Sequence, residues 1–356
     1  MMGFIRSGLA VFATLAVATL VGPVAATAAE PAQETWRFAI EEIQGSVQEA
    51  YALKFKELVE KKSDGQIAVT IYPYGQIGNT DEVTELVVAE VIQFANASPG
   101  HLGTIVPESQ VFSIPYLLSD NPEVNKKVLS GSDVIYGTLN AKLEDKGLKL
   151  LTMYPEGDMV WTAKKPIRTP QDFENFKMRT MVSPMLLEAY RALGGAPTPL
   201  PYAEVYGALQ LNMIDGQVNP VFAIEEMGFY EVSDYMIWTG EQQFTTTVIT
   251  NNDWYESLPV SQRKLIDETI AELTDYIYDL QERYNQERLE IIKEKKPELK
   301  MIHLTEEEQA AFEARARAAE DRFISMLGPD GRKIYENLTA EIERTEKAME
   351  TADTEG

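Results

Sequence analysis

Residues 177–220 read KMRTMVSPMLLEAYRALGGAPTPLPYAEVYGALQLNMIDGQVNP, and extended and helical patterns alternate along them. An apolar segment at Lys177–Met181 precedes a helix predicted from Ser183 to Leu193, which two glycines then break. Further extended residues lead to a second helical pattern at Tyr202, and residues 215–220 close the stretch. Strand, helix, strand, helix and strand joined by short connections indicate an α/β unit.

An arginine stands inside the first of these strands. Arg179 lies among Met and Thr residues, and burying a guanidinium is costly unless an anion satisfies it. Asp215 is one candidate partner, but Gly216 follows it and the pair is typical of a turn. The residues therefore favour an anion from outside the chain as the partner of Arg179.

The N-terminal part of the chain carries the same pattern. Predicted strands at 35–40, 67–72 and 91–95 alternate with predicted helices at 46–62 and 80–90. This order predicts a doubly wound parallel sheet, in which ligands bind at the carboxyl ends of the strands. Those ends fall at Glu41–Ser46, Gly75–Asn79 and Asn96–His101.

The C-terminal part is predicted to be helical. Pro259 opens an amphipathic segment that runs to Pro297, which is far longer than a usual helix and too irregular in its charges for a coiled coil. A further helix is predicted at 305–325, with Thr305 and Glu308 as a capping box. The polar residues 341–356 are predicted to be a frayed tail.

The first 29 residues are predicted to be a secretory signal peptide. One basic residue, an apolar run from Leu9 to Val21 and small residues at 26–29 favour cleavage near Ala28 and export to the periplasm. The chain has no cysteine, which excludes disulfides and thiolate metal sites. Its net charge of −24 disfavours binding to nucleic acid.

Catalytic patterns are weak in this sequence. His101, placed in a loop, and His303 have no metal-ligand spacing, and there is neither a Gly-x-Ser-x-Gly elbow nor a glycine-rich phosphate loop. The adjacent pair Glu41 and Glu42 is expected to point apart at a solvated strand edge. We therefore expect no catalytic residue, no metal and no cofactor, with an enzyme acting on a carboxylate as the less favoured alternative.

Several short motifs resemble one family in the same order. They are YPYGQIG at 72–78, VFSIPYL at 111–117, KPIRTP at 165–170, and Arg179, Tyr202, EVY at 204–206 and Asn219–Pro220. Together they resemble TRAP-transporter solute-binding proteins of the DctP type, over roughly residues 35–340. The resemblance implies an α/β fold like that of periplasmic binding proteins, with two α/β domains, a ligand cleft between them and a long bridging helix.

The resemblance also implies domain boundaries and partners. Domain I would comprise 30–156 and about 245–284, and domain II would comprise 157–244 and about 285–340. The protein would capture a small organic acid, as a monomer, and deliver it to small and large integral-membrane permease subunits. Presentation of the same ligand to a sensor is the alternative that the sequence leaves open.

The resemblance assigns a binding site around Arg179. Arg179 would grip a carboxylate, or a sulfonate, with parallel hydrogen bonds, Asn219 would donate to the same anion, and Tyr202 would pack on the solute. Met159 stands where many members carry a second Arg, and Trp161 could supply an aromatic wall instead. This difference favours a small or singly charged acid.

Further contacts are expected from residues that flank the strands. For each of them a capping or core role is an alternative to ligand contact. They are Gln44, Ser46, Asn79, Asn96 and Ser98 for polar contacts, and Phe94 and Phe222 for the wall.

Overall fold

A nine-stranded sheet runs through residues 32–355, the part of the chain that the computed structural model describes. Its strands are β1 (Glu34–Ala39), β2 (Ile67–Tyr72), β3 (Phe94–Ala97), β4 (Leu148–Ala163), β5 (Met178–Thr180), β6 (Thr198–Pro199), β7 (Gly216–Asn219), β8 (Tyr235–Asn251) and β9 (Lys300–His303). They lie in the order β2-β1-β3-β8-β4-β7-β5-β6, and β9 pairs with β8. The signal peptide predicted for residues 1–29 lies outside the described residues.

The sheet consists of two parallel halves joined by two antiparallel strands. In the first half β1 pairs in parallel with β2 and β3, and in the second half β5 pairs in parallel with β6 and β7. In each half the earliest strand is central, because the two crossover connections place their strands on opposite sides of it. This arrangement confirms the α/β fold predicted from the sequence.

The helices cover both faces of the sheet. They are α1 (Val47–Lys62), α2 (Thr80–Val88), α3 (Pro99–Leu102), α4 (Pro122–Gly131), α5 (Asn140–Glu144), α6 (Pro170–Phe173), α7 (Pro184–Leu193), α8 (Val205–Gln210), α9 (Val221–Glu226), α10 (Asn252–Ser257), α11 (Val260–Lys295) and α12 (Glu306–Glu355). Single 3₁₀ segments occur at Pro107–Ser113, Tyr202–Glu204 and Phe229–Val232, and a π-helical turn occurs at Val134–Leu139. The capping box of Thr305 and Glu308 is confirmed.

Strands β4 and β8 connect the two halves. The sequence predicts each as two separate strands, whereas in the structure each is continuous. Register shifts between Pro155 and Gly157 and between Asp158 and Val160 mark the place where β4 crosses. Gly157 has a φ of +133° and Gly240 on β8 has a φ of +70°, conformations that L-residues rarely adopt.

Apolar side chains fill both faces of each half. Trp36 and Phe55 belong to one cluster of the first half, and Trp161 belongs to a cluster of the second half. Helix α11 contributes Ile266 to the first of these clusters, and near its end it contributes Ile292 to another cluster of the second half. The prediction that this long helix bridges both halves is therefore confirmed.

Helix α12 differs from the prediction. Phe312 packs in the second half, but Phe323, Leu338 and Ile342 pack in the first, and the helix continues to Glu355 across a break at Gly328. The expectation of a frayed tail from residue 341 is therefore wrong, as is the assignment of the segment up to 340 to the second domain. Apolar residues four positions apart form a stripe here, although the local composition is polar.

Within residues 32–355 no helix is both long enough and apolar enough to cross a bilayer.

Candidate functional site

A cavity of about 210 Å³ lies where strand ends of both halves meet. Strands β1, β2 and β3 reach it from the first half, and β5, β6 and β7 reach it from the second. This is the carboxyl edge at which α/β sheets bind ligands. The lining residues are Glu41, Glu42, Gln48, Tyr74, Asn79, Thr80, His101, Arg179, Met181, Val182, Leu200, Pro201, Tyr202, Asn219, Pro220 and Phe244.

Arg179 projects into this cavity from β5. The residue is only 2% exposed, and its Nε–H and Nη2–H both donate to the carbonyl oxygen of Leu200, at 3.1 and 2.8 Å. No described residue accepts a hydrogen bond from Nη1, and Asp215 instead accepts from the backbone N–H of Lys177. Burial lowers the pKa of Arg179 to about 10, so the guanidinium stays charged at neutral pH. A buried cation without a carboxylate partner can bind an anion.

Asn219 ends β7 beside this guanidinium. Its Nδ2 donates to Gln217 Oε1, and Gln217 Nε2 donates to Thr162 Oγ1 at 3.2 Å. This chain of side chains fixes the orientation of the Asn219 amide, and Pro220 follows in the cavity wall. The structure therefore brings Asn219 and Arg179 to one cavity, as the resemblance implies.

Aromatic rings from both halves meet at the cavity. Tyr202 makes an edge contact with Tyr74 of the first half, with ring centroids 6.3 Å apart. The Arg179 Cζ atom lies 6.0 Å from the centroid of the Tyr202 ring. Both Tyr202 and Tyr74 line the cavity, so they can cover the two sides of a flat solute.

Two carboxyl groups also face the cavity, which the sequence analysis did not predict. Glu41 and Glu42 follow β1 and are buried, so the expectation of a solvated strand edge is wrong. The reason is that β1 ends at Ala39, and the alternation of side chains ends with it. Glu41 accepts hydrogen bonds from the Ser98 backbone N–H at 2.9 Å and from His101 Nδ1 at 2.8 Å.

Glu42 belongs to a buried carboxyl pair. Its side chain is hydrogen-bonded to that of Glu156, and Gln48 bonds to both through its backbone N–H and its Nε2. Burial raises the pKa of both carboxyl groups, and the repulsion between them raises that of Glu156 further. The pair therefore holds a proton more readily than an exposed carboxyl group does, and a nearby cation would favour its release.

Two predicted aromatic contacts lie away from the cavity. Trp161 is fully buried, stacks on Phe173 with a centroid distance of 4.4 Å, and donates from Nε1 to Glu241. Phe222 is buried in a cluster of the first half. The structure does not bring either ring to the cavity wall, because each lies on the face of its element that packs against neighbouring helices.

Most of the predicted polar contacts have structural partners. Asn96 is buried and donates to the Tyr154 hydroxyl at 2.8 Å, and Gln44 is exposed; neither lines the cavity. Ser46 caps α1, while Asn79 both caps α2 and lines the cavity. The capping alternative therefore describes Ser46 fully and Asn79 in part.

Met159 and Ser98 line a smaller neighbouring cavity of about 20 Å³. This cavity shares Met181 and Phe244 with the main one. Met159 is therefore adjacent to the binding cavity rather than part of its wall, and its apolar side chain makes that end of the site uncharged.

His101 lines the cavity, although the sequence placed it only in a loop. It belongs to the short helix α3 directly after β3. Its position at the carboxyl end of a predicted strand was the available signal, but nothing in the sequence paired it with Glu41, sixty residues away. Among the described residues no group of three or more His, Cys, Asp or Glu side chains is arranged to hold a metal ion.

Two parallel α/β halves, connected by crossing strands and sharing a charged cavity, define a solute-binding protein. The sequence matches the family described as bacterial extracellular solute-binding protein, family 7 (DctP), over residues 38–326, and the chain belongs to this family. It is a TRAP-transporter solute-binding protein of the transport class and not an enzyme. The resemblance stated from the motifs is thereby confirmed.

Among curated relatives the chain is similar to two ectoine-binding proteins. It is 38% identical over 317 residues to the ectoine-binding periplasmic protein TeaA of Halomonas elongata, covering 89% of this chain and 92% of TeaA. It is 38% identical over 321 residues to the ectoine/5-hydroxyectoine-binding periplasmic protein UehA of Ruegeria pomeroyi, covering 90% and 94%. The solved structure of the ectoine-binding protein from the TeaABC TRAP transporter superposes with a TM-score of 0.84 at 39% identity, covering 87% of this chain and 99% of that one.

Proposed function

We propose that this protein captures a small zwitterionic carboxylate in the periplasm and delivers it to the membrane subunits of a TRAP transporter. The observation that carries the proposal is the charge pattern of the cavity, where Arg179 faces the same space as Glu41 and Glu42. The carboxylate would bind Arg179 and Asn219 through charge-assisted hydrogen bonds. The cationic end would lie against the two glutamates.

The same charges disfavour a dicarboxylate. A second ligand carboxylate would meet Glu41 or Glu42 in a buried site, where like charges repel and desolvation is not compensated. Met159 in the adjoining cavity offers no second cation. The solute is therefore proposed to carry one negative charge, together with a delocalised positive charge.

The relatives support this choice of ligand class. TeaA and UehA are named for binding ectoine, and ectoine is a ring that carries one carboxylate and a cationic amidine. Their description as periplasmic proteins and the TeaABC TRAP transporter of the solved relative support the proposed location and the proposed permease partner. Ectoine is accordingly the first solute to test.

Titration calorimetry with ectoine and with succinate tests the proposal. We expect ectoine to bind more tightly than succinate, and Arg179→Met to weaken ectoine binding by at least roughly 100-fold, because two charge-assisted hydrogen bonds are lost. Arg191→Met is the matched control, since Arg191 lies in the same half but is largely exposed. It should bind like the wild type.

Circular dichroism of Arg179→Met should show an intact fold, because removing an unpaired buried cation leaves no carboxylate without its partner. Tighter binding of succinate than of ectoine would contradict the zwitterion assignment. Undiminished ectoine affinity in Arg179→Met would contradict the role of the guanidinium.

A further inference from the structure

His101 lies at the cavity with one ring nitrogen already engaged. Its Nδ1 is 2.8 Å from Glu41 Oε1, and the Ser98 backbone N–H and hydroxyl donate to the same carboxylate at 2.9 and 3.4 Å. A carboxylate only accepts hydrogen bonds, so Nδ1 carries the hydrogen in this contact. Glu41 therefore fixes both the orientation and the tautomer of the imidazole.

The other ring nitrogen is left as an acceptor. When Nδ1 of a neutral imidazole is protonated, Nε2 has a free lone pair. No residue in the described part of the chain forms a hydrogen bond with His101 Nε2, and the side chain lines the cavity. A solute in the cavity can therefore donate a hydrogen bond to it.

We propose that His101 is a specificity-determining residue whose Nε2 accepts a hydrogen bond from a hydroxyl group of the solute. The inference rests on the proposed function, because binding to Arg179 and the glutamates is what would place the solute beside the imidazole. Met181 and Phe244 in the same wall are apolar and cannot bind a hydroxyl group. The protein should thus select hydroxylated members of the zwitterion class.

Ectoine and 5-hydroxyectoine form a suitable pair of probes, since they differ by one hydroxyl group. We expect the wild type to bind 5-hydroxyectoine more tightly by roughly three- to tenfold, the value of one net hydrogen bond. His101→Phe should remove this preference. His101→Gln, whose amide oxygen can accept, should retain part of it.

The ratio of the two dissociation constants is the decisive measurement, because a purely structural role of His101 would weaken both solutes equally. A ratio of one in the wild type, or the same ratio in wild type and His101→Phe, overturns the inference while leaving the proposed function intact. If His101→Phe does not fold, the wild-type ratio and His101→Gln decide. Failure of both solutes to bind the wild type overturns the proposed function and this inference with it.

Discussion

Buried carboxyl groups are the residues that most influence the pH response of this protein. Burial raises the pKa of Glu42 to about 7, of Glu241 to about 8 and of Glu226 to about 9. Trp161 Nε1 and the Tyr190 hydroxyl donate to Glu241, which offsets part of its rise. At neutral pH the folded protein therefore retains protons that the unfolded chain would release.

We expect the ligand-free protein to lose stability as the pH rises from about 6 to 9. Each folded-state pKa lies above the ordinary value of 4.5, so the stabilisation is complete below that value and is lost as the pH passes the folded pKa. Melting temperatures measured across this range check the trend. Glu226→Gln should flatten the curve near pH 9.

Glu57→Gln serves as the control, since Glu57 is exposed and should leave the pH profile unchanged. A melting temperature that rises from pH 6 to pH 9 would show that these carboxyl groups are ionised without penalty in the folded state.

At this scale the sequence identified the anion-binding side of the site but not its acidic side. Arg179 was recognisable because a guanidinium in an apolar strand requires a partner. Glu41 and His101 were not, because their pairing depends on a contact between two loops that only the folded sheet brings together. Trp161 was misplaced because a strand buried on both faces gives no alternation to indicate which side faces the ligand.

The crossing of β4 is the element whose geometry is most specific. A Cβ atom on Gly157 would lie 2.4 Å from Asn285 Nδ2, in addition to the strain of a positive φ. Asn285 donates from Nδ2 to the Glu156 carbonyl at 2.8 Å and accepts from the Phe222 backbone N–H at 3.2 Å. This side chain therefore connects α11, the β4 crossing and α9.

Gly157→Ala should destabilise the protein by about 1–3 kcal/mol, the usual cost of such backbone strain. The midpoint of denaturant unfolding measures the change. Gly131→Ala is the matched control, because Gly131 ends α4 with open space around it and without a positive φ, and it should be neutral or slightly stabilising. Equal midpoints for the two variants would argue that the crossing tolerates other conformations.

The elements themselves were largely predictable. Helical spacing located α1 and α11 to within a few residues, since long amphipathic segments carry a strong periodic signal. The continuity of β4 through residues 154–158 was not predictable, because Pro155 and Gly157 resemble a turn in sequence. Only the pairing with β8, with its shifts in register, holds that segment in the sheet.

For the whole molecule we expect ligand binding to produce a more compact shape. Two halves joined by crossing strands and a bridging helix can rotate about Gly157 and Gly240, and a bound solute favours the state in which both halves contact it. Small-angle X-ray scattering with saturating ectoine should give a smaller radius of gyration than without ligand. The same data give the mass and so check the predicted monomer.

Arg179→Met should show no such change at the same ectoine concentration, because it lacks the contact that holds the solute to the second half. An identical radius of gyration with and without saturating ligand in the wild type would instead indicate a rigid cavity.

The packing of α12 against the first half also affects the order in which the chain can fold. Ala39, near the start of the described chain, and Ile342, near its end, belong to the same apolar cluster. An N-terminal half that emerges early from the ribosome therefore lacks part of its core until almost the whole chain has been synthesised. A chain ended at Gly328 should expose that core and bind a hydrophobic dye. Synthesis of the last helix thus sets the time at which the protein can complete its folding.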